Sequence, residues 1–333
     1  MRVPDVFRAY VVHRRDDRLE RGLRDLRLAD LPPGDVLIQV AWSTVNYKDG
    51  LAVQADGKVA RAYPLVPGID LAGTVVASGD PAFATGTSVI ASGYDIGVSH
   101  HGGYSELARM PAGWIVPLPA ELSAREAMAI GTAGFTAAMS VVALEDRGLR
   151  PGDGPVLVTG ASGGVGGTAV GILASRGHEV WAATGKADEV DRLKVLGAAG
   201  TLTRGDVAAP ASKPLESARW AGAVDTVGGP TLPYILRTLR RGAAVAVCGN
   251  AGGVPLETTV QPLILRGVAM LGMDSAGMPI VERRRLWQRL ANDLRPPRLG
   301  EAVAEVDLDG LEPALDAIVA GQARGRWVVR LGG

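Results

Sequence analysis

Cysteine is almost absent from this chain: one residue, Cys248, in 333. A single cysteine excludes an intrachain disulfide and any multi-cysteine zinc site. It allows a reducing compartment without demanding one. An excess of one charge is also missing, since 35 Lys and Arg balance 35 Asp and Glu. Such a balance implies no general affinity for nucleic acid or for an anionic membrane. Residues 1–5 hold no apolar signal-peptide core, and no apolar run approaches the length of a membrane span. Neither an internal repeat nor a low-complexity tract stands out. The expectation is a soluble, cytoplasmic protein. What is present is ordinary for a globular chain, with 47% hydrophobic and 21% charged residues. The length suffices for two domains.

The chain is organised around Val156-Leu-Val-Thr-Gly160-Ala-Ser-Gly163-Gly164-Val165-Gly166-Gly167. A short apolar run ends in glycines and then enters an apolar-periodic segment. This reads as strand, tight turn and helix. Glycine lets the backbone turn sharply and approach a ligand, because a Cβ would block both. A helix start offers unpaired N–H groups and a positive dipole end to a phosphate. The functional reading is a dinucleotide pyrophosphate site that includes Ser162, Gly163, Gly164 and Val165. The bland alternative is a glycine-rich turn that binds nothing.

Residues 1–125 read as short strands separated by turns, a β-barrel-like unit. Residues 36–42 form a strand after the turn Pro32-Pro33-Gly34-Asp35, and Asn46-Tyr47-Lys48-Asp49 opens a short helix. From Ser123-Ala-Arg-Glu126, a capping-box spacing, the pattern changes. A helix begins, is interrupted at residues 131–134 and resumes. Strands then alternate with helices, which predicts a parallel sheet with helices on both faces. Ligands of such sheets sit outside the carboxyl ends of the strands. The segments to watch are 160–166, 184–186, 226–229, 249–252 and 273–275. Residues 325–331 are strand-like and could return to the first domain. The expected division is 1–125, 126–265 and a return segment, 266–333.

The second strand of a dinucleotide fold ends near the adenosine ribose, where a carboxylate selects NAD and a cation NADP. Here the tip is Thr184-Gly185-Lys186, with no carboxylate. Arg204 can add a second cation. The reading is NADPH; the alternatives are that Lys186 or Arg204 is merely a solvated loop residue.

Together these features resemble the medium-chain dehydrogenase/reductase superfamily, in its acrylyl-CoA reductase and zinc-independent quinone oxidoreductase branch. The matching words include Val45-Asn-Tyr-Lys-Asp49-Gly, Pro67-Gly-Ile-Asp70-Leu-Ala-Gly73, Gly131-Thr-Ala-Gly-Phe-Thr136 and Trp220-Ala-Gly-Ala-Val-Asp-Thr-Val-Gly228. They span nearly the whole chain. The resemblance implies a Rossmann-type doubly wound domain inserted in a GroES-like β-rich catalytic domain, and a homodimer. Zinc-dependent relatives carry a catalytic histidine where this chain has Gly68-Ile69-Asp70, so no metal is expected. A metal role for the adjacent His100 and His101 is disfavoured, since neighbours in a strand or loop point apart.

The activity implied is NADPH-dependent reduction of acrylyl-CoA to propionyl-CoA, with hydride passing to the β-carbon. Tyr47 is placed beside the nicotinamide as a ring-positioning or proton-donating phenol; the alternative is a half-buried packing tyrosine. Asn46 and Asp49 read as residues fixing its loop. Asp70 reads as an ion-pair partner of Lys48 or Arg326, and Arg326 as facing the cleft. Thr132, Ala133, Asn250, Ile264 and Ser275 match cofactor-contacting positions in relatives. Arg283, Arg284 and Arg285 could meet the phosphates of CoA, or form a solvated helix face. Two other readings remain open: an NADPH quinone or enone reductase, and an NADPH-binding redox sensor.

Overall fold

The computed structural model describes residues 3–16, 18–210, 213–301 and 303–332. The chain divides into two compact units. One takes the chain up to Thr132, Ala276–Asp293 and everything from Leu299; the other is Ala133–Ser275 with Leu294–Arg298. The terminal residues 1, 2 and 333 of the expected domains lie outside the described residues.

In the first unit a curved sheet runs in the order Val303–Asp307, Arg326–Arg330, Val36–Thr44, Asp70–Ser78, Ser88–Ser92, Ile115–Pro117, with Leu107–Met110 also paired to Val36–Thr44. The apolar residues Val36, Ile38 and Val40 of the central strand are fully buried and share a core with Leu71, Val75 and Val89. The C-terminal strand lies antiparallel to this central strand, Val328 opposite Thr44. The unit is therefore assembled from distant pieces of sequence. The short helix Tyr47–Ala52 lies so close to the helix Leu311–Val319 that a Cβ at Gly50 would approach Ile318 Cγ2 to 2.9 Å. An antiparallel hairpin, Val6–Arg15 with Arg18–Arg27, was not evident in the sequence. Its second strand is mostly charged. It forms because the first strand buries Tyr10 and Val12, and because Arg21 reaches Asp316 at 2.9 Å.

The second unit is a six-stranded parallel sheet in the order Ala198–Thr203, Val180–Thr184, Val156–Val158, Gly222–Asp225, Ala244–Val247, Ala269–Gly272. Within the unit this is strand order 3-2-1-4-5-6, the Rossmann arrangement. Val156, Leu157 and Val158 are wholly buried, as expected where helices cover both sheet faces. The fold class is thus a Rossmann-type doubly wound domain inserted in a β-rich domain.

The helix Ala124–Asp146 starts at the expected capping box: Ser123 N donates to Glu126 Oε2 at 2.9 Å and Glu126 N to Ser123 Oγ at 3.2 Å. By length and composition it could cross a bilayer, but 78% of its apolar window is buried within the protein. The interruption expected over 131–134 is confined to Gly131, at φ 49° and ψ −165°. Only glycine occupies this conformation readily. A Cβ there would also lie 2.6 Å from Arg326 Nη2 and 2.9 Å from Thr44 Cγ2. Gly131→Ala is therefore expected to lower unfolding stability by about 2 kcal/mol or more. Urea denaturation monitored by fluorescence checks this, and an unchanged midpoint would mean the break tolerates a side chain.

Candidate active site

The carboxyl edge of the parallel sheet carries a cavity of about 130 Å³, lined by Thr159, Gly160, Ser162, Ala183, Thr184, Gly185, Lys186, Arg204, Val207, Val227 and Thr231. Gly160 adopts φ 58°, and a Cβ on it would overlap Thr226 Oγ1. A Cβ on Gly166 would overlap the Gly160 carbonyl. These two glycines let the helix Gly164–Ser175 begin directly against the turn. Its N-cap, Gly163, supplies no side-chain cap, so first-turn N–H groups remain for an outside acceptor. The loops after the first two strands are stitched together: Thr184 Oγ1 donates to Ser162 Oγ, and Lys186 N donates to Thr184 Oγ1, both at 3.0 Å.

The lining contains two cations, Lys186 and Arg204, and no carboxylate. The Arg204 guanidinium lies over Gly185, 3.3 Å from where a Cβ would stand. This lining fits a dinucleotide whose ribose carries a 2′-phosphate. Sequence reasoning missed Arg192, which donates to the Ser162 carbonyl at 3.1 Å and pairs with Glu189 at 2.5 Å. Nothing in the helical context of Arg192 marks it out. Of the other expected cofactor residues, Asn250 and Ile264 are exposed and do not line this cavity, and Ser275 Oγ accepts from Thr136 Oγ1 at 2.8 Å.

The first unit holds a buried polar hub. Asp49 Oδ1 accepts from Ile69 N at 2.8 Å, and Oδ2 from Asn46 N at 2.8 Å and Asn46 Nδ2 at 3.1 Å. The same amide donates to Asp70 Oδ2 at 2.8 Å. Asp70 also accepts from Thr132 N at 3.0 Å and Thr132 Oγ1 at 2.6 Å. Among the described residues Asp70 makes no direct ion pair, so the expected pairing with Lys48 or Arg326 is corrected to an electrostatic influence on Arg326 alone. Short polar side chains at 46 and 132 satisfy it at closer range. Arg326 instead donates to Ala129 O at 3.0 Å, Thr44 Oγ1 at 2.9 Å and Asn46 Oδ1 at 3.4 Å. Tyr104 completes the hub, donating to Thr44 O at 3.1 Å. Thr44 and Tyr104 gave no signal in the sequence because each lies in an ordinary strand pattern. Tyr47 is the first residue of the capped helix and is 47% exposed, which fits either a working phenol or a half-buried packing tyrosine.

One expected anion contact also changes. Arg283 is 1% exposed, donates to Ser92 Oγ and Ala276 O at 3.1 Å, and stacks on Tyr94. It cannot meet the phosphates of CoA; Arg284 and Arg285 are exposed. His100 and His101 bond backbone groups, His100 Nδ1 against His101 O at 2.9 Å and His101 Nδ1 accepting from Val66 N at 3.4 Å.

Residues 32–120 match the alcohol dehydrogenase GroES-like domain, and residues 164–292 match the zinc-binding dehydrogenase model. Acrylyl-CoA reductase AcuI of Ruegeria pomeroyi is 48% identical over 97% of this chain and 99% of its own length. The Bacillus subtilis protein YhfP, named as a quinone oxidoreductase, is 48% identical over 98% of this chain and 99% of its own. The yhdH oxidoreductase of Salmonella enterica, solved in complex with NADP, aligns with a TM-score of 0.94 at 46% identity, covering 98% of this chain and 100% of that one. The chain belongs to the medium-chain dehydrogenase/reductase superfamily. It falls in the branch of the acrylyl-CoA and quinone reductases.

Burial, and then the neighbouring Asp70 charge, push the Asp49 carboxyl up to about 7, against the pull of its N–H donors. Burial also lowers the pKa of Arg326, opposed by Asp70 and Asp49. An unfolded aspartate titrates near about 4. The folded chain therefore keeps the Asp49 proton longer, and stability is expected to fall as pH rises from about 4 through about 7. Denaturant titrations at pH 5 and pH 8 test this. Asp49→Asn should flatten the dependence by up to about one proton; an unaltered slope would show that Asp49 is ionised throughout.

Proposed function

We propose that this chain uses NADPH to reduce the C=C bond of a small α,β-unsaturated acyl-CoA, converting acrylyl-CoA to propionyl-CoA. The observation that carries the reading is the nucleotide cavity with two cations and no carboxylate, in a chain 48% identical over nearly its whole length to an acrylyl-CoA reductase. The glycine turn and helix start, Ser162 to Val165, hold the pyrophosphate. Lys186, Arg204, Thr184 and Gly185 hold the 2′-phosphate and its ribose. Thr132, Ala133, Asn250, Ile264 and Ser275 complete the proposed contacts. A reduced nicotinamide held by these residues would be the source of the hydride for the β-carbon of the substrate. The charge that develops on the thioester oxygen needs a donor, and the α-carbon needs a proton. Tyr47, whose phenol is partly exposed, is the proposed group for this need, directly or through water. Asn46, Asp49, Asp70 and Arg326 keep its loop in place.

The reaction is proposed to need no zinc. Cys248 has its thiol pushed up to about 12 by burial, unsuited to a thiolate ligand. Among the described residues no three of His, Cys, Asp and Glu gather as a ligand set. A second reading, reduction of free quinones or enones, is supported by the name of YhfP. NADPH consumption measured in EDTA with acrylyl-CoA, a simple quinone and an unsaturated ketone separates the two. We expect acrylyl-CoA to be preferred. A quinone preference above about tenfold in kcat/KM, roughly 1.4 kcal/mol, would favour the second reading, and a zinc requirement would reject the metal-free mechanism. NADPH binding without any turnover would point to a sensor. In the same assay Lys186→Asp should raise KM for NADPH by about tenfold or more, because a like charge would meet the 2′-phosphate. Unchanged affinity would place that phosphate elsewhere.

A homodimer and a cytoplasmic location belong to the same proposal. The strand Ala269–Gly272 ends the parallel sheet, and Met270 within it, with Val260, Ile264 and Leu265 nearby in the chain, is exposed. Apolar exposure at a sheet edge favours pairing with a second copy. Sedimentation of the purified protein should give a dimer; a monomer at micromolar concentration would reject it. Fractionation of producing cells checks the location, and recovery outside the cytoplasm would overturn it.

A further inference from the structure

One buried carboxylate lies outside the contacts assigned so far. Asp225 ends the strand Gly222–Asp225 and is 0% exposed. No cation pairs with it among the described residues. Burial raises its pKa, while its hydrogen-bond donors lower it. An uncompensated buried charge is costly, so the groups that satisfy it define what it does. Oδ1 accepts from Thr159 Oγ1 at 2.5 Å and Val227 N at 3.2 Å; Oδ2 accepts from Gly228 N at 3.0 Å. Thr159 Oγ1 in turn accepts from Thr226 N at 3.2 Å, and Thr226 Oγ1 donates to Thr159 O at 3.0 Å. Thr226 Oγ1 is also the group that excludes a Cβ at Gly160.

Every donor to this carboxylate therefore comes from one of two loops. Thr159 leads into the glycine turn, and Val227 and Gly228 form the turn after the fourth strand in the sheet. Thr159, Gly160 and Val227 line the nucleotide cavity. We propose that Asp225 is a positioning residue that clamps these two loops at the spacing a nicotinamide dinucleotide needs. The inference deepens the nucleotide-binding reading and rests on it. Asp225 touches neither cofactor nor substrate. It acts through Thr159, Val227 and Gly228.

The experiment is a fluorescence titration of NADPH into the full chain, run at a temperature where thermal melts show every variant folded. Asp225→Asn keeps the shape but turns an amide N–H toward a donor, which leaves one loop unsatisfied. It is expected to weaken NADPH binding by about tenfold or more and to raise KM for NADPH in step. At saturating NADPH, kcat should stay within about threefold of the wild type. Thr159→Val, which removes the hydroxyl, should act in the same direction; Thr159→Ser, which keeps it, should restore affinity. Should Asp225→Asn fail to fold, the Thr159 pair decides. NADPH affinity within about twofold of wild type in Asp225→Asn or Thr159→Val, or a fall in kcat with KM unmoved, would overturn the clamp. A wild-type chain that does not bind NADPH would overturn the nucleotide reading and this inference with it. Normal binding in both wild type and variants would overturn this inference alone.

Discussion

The close approach of the Thr226 side chain to Gly160, and of the Gly160 carbonyl to Gly166, underlies the nucleotide half of this protein. At neither position is there space for a methyl group. The first strand can therefore hand over to a helix within a few residues, and the helix starts at the carboxyl edge of the sheet. Two consequences follow from one packing constraint. The first-turn N–H groups are left without a side-chain cap, and the neighbouring strand tip, Thr184 to Lys186, is brought close enough for Thr184 to bond Ser162. In the proposed function, phosphate recognition there is a by-product of how closely two pieces of chain approach.

The other unit solves a different problem, which is to keep two carboxylates buried side by side. Asn46 divides its amide between Asp49 and Asp70, and Thr132 gives Asp70 both its N–H and its hydroxyl. Arg326 supplies positive charge without bonding either acid directly. Such a network stabilises only when each member is satisfied. Here it links the loop of Tyr47, the break at Gly131 and the C-terminal strand, three pieces of sequence that share no local pattern. In the proposed reaction its value is rigidity at Tyr47.

Periodicity and glycine placement made much legible beforehand. The alternating half, the glycine turn, the uncharged strand tip before Lys186 and the capping box at Ser123 all rest on interactions within a few residues. Local chemistry of that range is written directly in the chain. The hairpin of Val6–Arg15 and Arg18–Arg27 was not legible, because its charged strand gains order from Tyr10, Val12 and Arg21 contacts made far along the chain. Arg283 misled for the same reason. Three arginines in a row look solvated, yet the helix turns the first of them into the protein against Ser92 and Tyr94.

By itself, then, the sequence determined a doubly wound nucleotide-binding half, a cofactor with a phosphorylated ribose and a tyrosine beside an asparagine and an aspartate. These depend on spacing and on residue type at strand tips and turns. Tertiary structure alone decided that Asp70 bonds Thr132 and Asn46 rather than a cation, that Arg192 reaches the glycine turn, and that Asp225 holds Thr159 and Val227 together. Each of those contacts joins residues whose separation in the chain carries no pattern. Only the closure of a sheet brings them within hydrogen-bonding distance.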